Sequence, residues 1–138
     1  MQESGKFLIN DAILQMGQKD KFFQEVSQNY TEIEKIEQQF LGISTAEVTS
    51  AIFQHWGLDE DLVNDIMFAD KPQNANLKAK PFSQILHVVK LIFNIIKPLD
   101  EVCIQEAKKL ILEYGYQEKS FDNAILKIQD RLLDEKKL

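Results

Sequence analysis

An all-α fold is expected of this 138-residue chain. Helix start signals (Ser, Thr, Asp) and stop signals (Gly, Pro) punctuate it at helical lengths, and apolar residues recur three and four positions apart. No run of β-branched residues alternates with polar ones, and no Asn-Gly or Asp-Gly turn is present to close a hairpin. A bundle of about six to eight helices forming a single domain over residues 1–138 follows from that pattern, and neither an internal repeat nor a linker divides it.

The first helix is expected from about Gly5 to Met16, with Phe7, Leu8 and Ala12 inward and Ile9 and Ile13 beside them, stopped by Gly17. A short second helix carries Phe22, Phe23 and Val26. Thr31 and Glu34 have capping-box spacing and would open a third through Ile33, Ile36 and Phe40, closed by Gly42. Ser44 and Glu47 repeat the device, so a fourth helix should run to Gly57 with Val48, Ile52 and Trp56 on a core-facing stripe. Asp59 is placed to cap a fifth, with Leu62, Val63, Ile66 and Met67 inward and Pro72 as its halt. Lys71 to Lys80 reads as a long loop. Phe82 to Ile96 is apolar almost all round, which predicts a central helix. Pro98 and Asp100 restart the chain for a helix through Ile104, Ala107, Leu110, Ile111 and Tyr114, ended by Gly115. Ser120 would cap a last helix with Phe121, Ile125, Ile128 and Leu132 on one side.

Composition excludes several functions. Acidic residues outnumber basic ones 22 to 16, for a net charge of −6, and no dense Lys/Arg stripe occurs, so binding to nucleic acid or to an anionic membrane surface is not expected. Polar residues interrupt every apolar run well short of the ~20 residues that cross a bilayer. Cys103 is the one cysteine and has no partner for an internal disulfide; with no cleavable signal segment ahead of the first helix, a cytoplasmic location is the expectation.

The order of helices and the Phe-Leu-Gly, Ala-Glu-Val and Trp-Gly-Leu patterns at Phe40–Gly42, Ala46–Val48 and Trp56–Leu58 resemble the HDOD domain, a branch of the HD phosphohydrolase superfamily found in bacterial signalling proteins. The likeness extends from Met1 to about Ile96 and is weaker beyond. It implies an HD-like helical bundle, of which this chain would be the later portion of a longer protein. In the wider superfamily, a histidine-aspartate pair, further histidines and a late aspartate hold divalent metal that activates water against phosphate esters.

At the matching positions the resemblance implies vestigial metal-site residues. Gln2 and Glu3 stand where the histidine-aspartate pair would be, ahead of Gly5 and Lys6, which follow the family pattern. Thr45 takes the place of a histidine before Ala-Glu-Val, Ala69 and Asp70 replace a histidine pair ahead of Pro72, and Lys90 falls at the late aspartate. Thr, Ala and Lys in donor positions remove most of the coordination a divalent ion needs. Neither catalytic residues nor a bound metal or cofactor are therefore expected. Lys6 and Lys90 are candidate anion-binding residues; alternatively, Lys90 neutralises Glu3 or Asp70 in an internal ion pair.

Other chemistry-bearing residues have plainer readings. His55 suits a surface or helix-end role and His87 a hydrogen-bonded, half-buried one. Asp59, Asp61, Asp65 and Asp70 superficially suggest a calcium loop, but Asn64 sits where such a loop needs glycine. Cys103 reads as a small buried hydrophobe. The resulting expectation is a non-catalytic regulatory module in signal transduction, with a signalling protein or a neighbouring input domain as partner. A divergent metal-dependent phosphohydrolase using Glu3 and Asp70, and a sensor of anionic nucleotides at Lys6 and Lys90, are the alternatives.

Overall fold

A computed structural model describes residues 3–137, and among them every regular element is helical. The eight α-helices are α1 Lys6–Gln15, α2 Lys19–Gln28, α3 Ile33–Leu41, α4 Thr45–His55, α5 Glu60–Met67, α6 Lys80–Ile92, α7 Glu101–Glu113 and α8 Glu118–Lys136, with a 3-10 turn at Pro72–Asn74. The fold is thus the all-α, HD-like bundle that was expected.

Local backbone chemistry sets several of the boundaries. Ser44 accepts from the Glu47 amide while the Glu47 carboxylate accepts from the Ser44 amide, a reciprocal cap that opens α4. Asp59 and Asp100 cap α5 and α7 through amides in their first turns. Gly17, Gly42, Gly57 and Gly115 follow helices at φ between 67° and 82°, the left-handed turn at which a Cβ is unfavourable.

Other boundaries depart from the sequence reading. Thr31 does not cap α3; it lies in a turn closed by the Glu32 amide on the Asn29 carbonyl, and the helix begins after Glu32. Nor does Ser120 cap α8, which already starts at Glu118 behind Gln117. Helix α6 starts at Lys80, with proline in its first turn, and ends at Ile92. Buried Asn94 takes over there: its side chain accepts from the Ile96 and Lys97 amides and donates to the Leu91 and Lys97 carbonyls, tying the link to α7.

Three apolar clusters hold the bundle. Ile13, Phe22, Val26, Ile33 and Ile36 join α1, α2 and α3; Phe53, Val63 and Ile66 join α4 to α5; Val88, Ile92, Ile104, Ala107, Phe121 and Ile125 join α6, α7 and α8. Several faces therefore turn differently from the sequence expectation. In α1, Ile9 and Ile13 are the buried pair while Phe7 and Leu8 are exposed. Helix α4 packs inward through Ala46, Thr49, Ser50 and Phe53, leaving Trp56 65% exposed and stacked on Phe53. In α5, Val63 and Ile66 point inward without Leu62 and Met67. Helix α6 is not buried all round: it leaves Phe82, Ile85 and Val89 exposed.

Candidate functional site

The site is built where α1, α3, α4 and α6 meet the Phe68–Lys71 turn. Small residues let α1 approach α4 closely. The Gly5 amide donates to Thr49 Oγ1 at 2.8 Å, and a Cβ on Gly5 would lie 2.7 Å from the Thr45 carbonyl oxygen and 2.9 Å from the Thr49 nitrogen. That approach carries the next residue, Lys6, between α3 and α4.

Lys6 Nζ lies 3.0 Å from Glu37 Oε1, 3.1 Å from Glu3 Oε2 and 3.3 Å from Thr45 Oγ1. Glu37 is almost completely buried, and its carboxylate also accepts from the Thr45 amide and the Thr45 hydroxyl, each at 2.7 Å. Burial by itself lowers the Lys6 pKa, but Glu37 and then Glu3 outweigh it, and the net shift is upward. The ammonium is therefore charged across the physiological range.

A second pair lies alongside. Lys90, on α6, contacts Asp70 Oδ1 and sits 3.9 Å from Glu3 Oε1. The Asp70 side chain is only 9% exposed, and its second oxygen, Oδ2, has no hydrogen-bond partner among the described residues. One turn before Lys90, His87 donates from Nδ1 to the Ala69 carbonyl at 2.7 Å. Burial lowers the His87 pKa, with the nearby Lys90 charge adding to the effect against the opposing pulls of the Ala69 carbonyl and Asp70. The imidazole is neutral at neutral pH.

These groups border one small pocket of about 60 Å³, lined by Glu3, Lys6, Glu34, Asp70, His87 and Lys90 among others. Of the residues singled out from the sequence, Glu3, Lys6, Asp70 and Lys90 converge on it. Thr45 and Ala69 lie behind them, both fully buried, and Gln2 lies outside the described residues. His55 is exposed, and Cys103 is fully buried far along the chain on α7, its thiol pKa raised by burial.

Two acids escaped the sequence reading. Glu37 sits four residues after Ile33 and three before Phe40, inside the apolar stripe of α3; a carboxylate in such a stripe signals a buried partner. Glu34 was assigned to a cap that does not form. It lines the pocket instead, and burial raises its pKa, with Asp70 and Glu37 adding to the effect against the opposing influence of its own backbone amide and Lys90.

A divalent cation fits this arrangement poorly. Ala69 brings no side-chain donor, the Thr45 hydroxyl is engaged by Glu37 and Lys6, and Lys90 puts a positive charge against Asp70. No group of three His, Cys, Asp or Glu among the described residues is arranged to hold a metal ion. No helix among them is long and apolar enough to cross a membrane.

A family profile described as HDOD domain matches residues 1–72, over half of the chain. The fold is similar to that in a crystal structure of a virulence factor (cj0248) from Campylobacter jejuni subsp. jejuni, with a TM-score of 0.59 and 18% identity, covering 79% of this chain and 42% of that one. The chain thus spans less than half of that protein's length, and the likeness is one of fold. No curated protein matches the chain.

Proposed function

The chain belongs to the HDOD family, and we propose that it is a non-catalytic regulatory module of bacterial signal transduction that works through contact with another protein. One observation carries this reading. Three of the positions that the resemblance implies as metal-donor positions, Glu3, Asp70 and Lys90, take part in an internal charge network, Glu3 with Lys6, which also pairs with Glu37, and Lys90 with Asp70. Two ammonium groups in a small pocket oppose a dication, and each is held there by carboxylates whose loss would leave it buried and unpaired. The degenerate metal site belongs to this proposal, as does a cytoplasmic location in which a signalling protein or a neighbouring input domain is the partner.

The same network weighs against anion sensing. Both lysines already face carboxylates, so a nucleotide phosphate would have to displace Glu37 or Asp70 at the cost of burying a free carboxylate. Exposed apolar side chains between α6 and α8, among them Ile85, Val89 and Phe93, border a groove of about 480 Å³ and support contact with protein.

Two measurements test the reading. Phosphomonoester and phosphodiester substrates supplied with manganese should show no turnover; turnover that disappears in Glu3→Ala would overturn it in favour of a divergent hydrolase. Affinity capture with the intact protein should recover a defined signalling partner, and recovery of none counts against it.

A further inference from the structure

Helix α8 outruns the helix that it packs against. At 1.5 Å per residue its 19 residues span about 28 Å, against about 20 Å for the 13 residues of α7. Phe121 and Ile125 are buried in the cluster shared with α6 and α7, but every residue from 130 to 137 is exposed. A helical stretch of that length with no packing partner is marginal in water. It nevertheless carries large apolar side chains. Leu126 and Leu133, each 57% exposed, lie one heptad apart on a face about 100° around the helix from Ile125.

The residues in line with those leucines have a chemical order. Asp122, Leu126, Gln129, Leu133 and Lys136 follow one another at spacings of four, three, four and three, the seam of a two-helix coil. Read from either end, the seam gives a charge, leucine, glutamine, leucine and the opposite charge. A second copy laid antiparallel along it sets Leu126 of each copy against Leu133 of the other, Gln129 against Gln129, and Asp122 against Lys136. A parallel copy would instead set like charges together at both ends. The local charges are also unbalanced in the way such a copy corrects. Asp122 and Glu118 share one cation, Lys108, at 3.0 and 2.8 Å, while Lys136 enters no ion pair among the described residues. An incoming Lys136 would give the two carboxylates two ammonium groups, and the amides of two Gln129 side chains can pair across a two-fold axis.

We propose that α8 is a self-association face, along which two copies of this chain pair antiparallel through Asp122, Leu126, Gln129, Leu133 and Lys136 about a two-fold axis near Gln129. None of the five lines the α6–α8 groove or the small charged pocket, so the pairing goes beyond the interaction reading above and does not depend on it. The seam is only about 21 Å long, and the dimer is accordingly of the weak, reversible kind.

Sedimentation equilibrium of the intact protein, from low micromolar to near-millimolar concentration, tests this directly. The average mass should rise from that of one chain toward that of two. Leu133→Lys should weaken the dimer at least about tenfold while circular dichroism stays unchanged, because the exposed leucine touches little within its own copy. Lys136→Glu should weaken it about threefold or more, with the larger effect at low salt. Oxidative cross-linking reads the register, and Cys103 is too buried to compete. Gln129→Cys should link to itself, whereas Leu126→Cys should link to Leu133→Cys and not to itself. A mass of one chain at every concentration, a dimer indifferent to Leu133→Lys, or Leu126→Cys linking to itself as readily as Gln129→Cys would overturn the inference. So would a monomer whose captured signalling partner is lost in Leu133→Lys, since the seam would then hold a different protein.

Discussion

Glu37 and Thr45 make a two-point contact, the carboxylate accepting from both the amide and the hydroxyl of the threonine at 2.7 Å. This joins the C-terminal half of α3 to the first residue of α4, and the same carboxylate holds Lys6 of α1 at 3.0 Å. One buried acid thereby ties three helices together. Removing its charge leaves Lys6 half-neutralised inside the bundle. Glu37→Gln is expected to destabilise the fold by about 3 kcal/mol, read as a lower midpoint in urea unfolding at unchanged slope. Thr45→Val should cost less, about 1–2 kcal/mol, because only the hydroxyl is lost.

Gly5 is required for space and not for backbone freedom, since its φ is −65°. Its added Cβ would meet the backbone of Thr45 and Thr49 at under 3 Å, and neither can move without shifting α4. Gly5→Ala should therefore destabilise by about 1–3 kcal/mol, against the small gain that alanine brings at an open helix start. Thermal unfolding of the variant gives the sign.

Lys90 and Asp70 should behave as a coupled pair. Lys90→Met leaves a nearly buried carboxylate with no partner and is expected to cost about 3 kcal/mol or more. Asp70→Asn added to it should recover much of that loss, so that a double-mutant cycle returns a coupling of about 1–3 kcal/mol. Strict additivity of the two changes would show that the contact is incidental.

Glu34 supplies a pH signature. Its folded pKa is raised above the ordinary 4.5, chiefly by burial, so the folded state holds the proton more tightly than the unfolded chain does. The stability this confers is complete below pH 4.5 and is lost as pH rises through the folded pKa. Glu34→Gln has no charge to bury. It should melt above the wild type at neutral pH, with the difference closing as the pH falls toward the ordinary carboxylate range, a trend that melting curves across pH would reveal.

Trp56 offers a test of which face of α4 is inward. Stacked on Phe53 but 65% exposed, it should cost only about 0.5–1.5 kcal/mol as Trp56→Ala, whereas Phe53→Ala should cost about 3–5 kcal/mol. Chemical denaturation of the two variants separates them.

The family resemblance pointed to the neighbourhood of the site through Glu3, Lys6, Asp70 and Lys90, but not to the acids that give it its character. Glu34 looked like a capping partner because its spacing from Thr31 suited one, and the turn at Asn29–Glu32 took that role away. Glu37 was legible only as a misfit within an apolar stripe. What the chain determines locally is much of its punctuation: the caps at Ser44, Asp59 and Asp100 and the glycine stops act on backbone groups a few residues away. What only packing decided is which side of each helix faces in, so that Ile9 and Ile13 displace Phe7 and Leu8, and which charges meet. The contacts from Gly5 to Thr49 and from Lys6 to Glu37 and Thr45 span 44, 31 and 39 residues. Periodicity within one helix carries no information about such pairs, because their energy exists only once separate helices have docked.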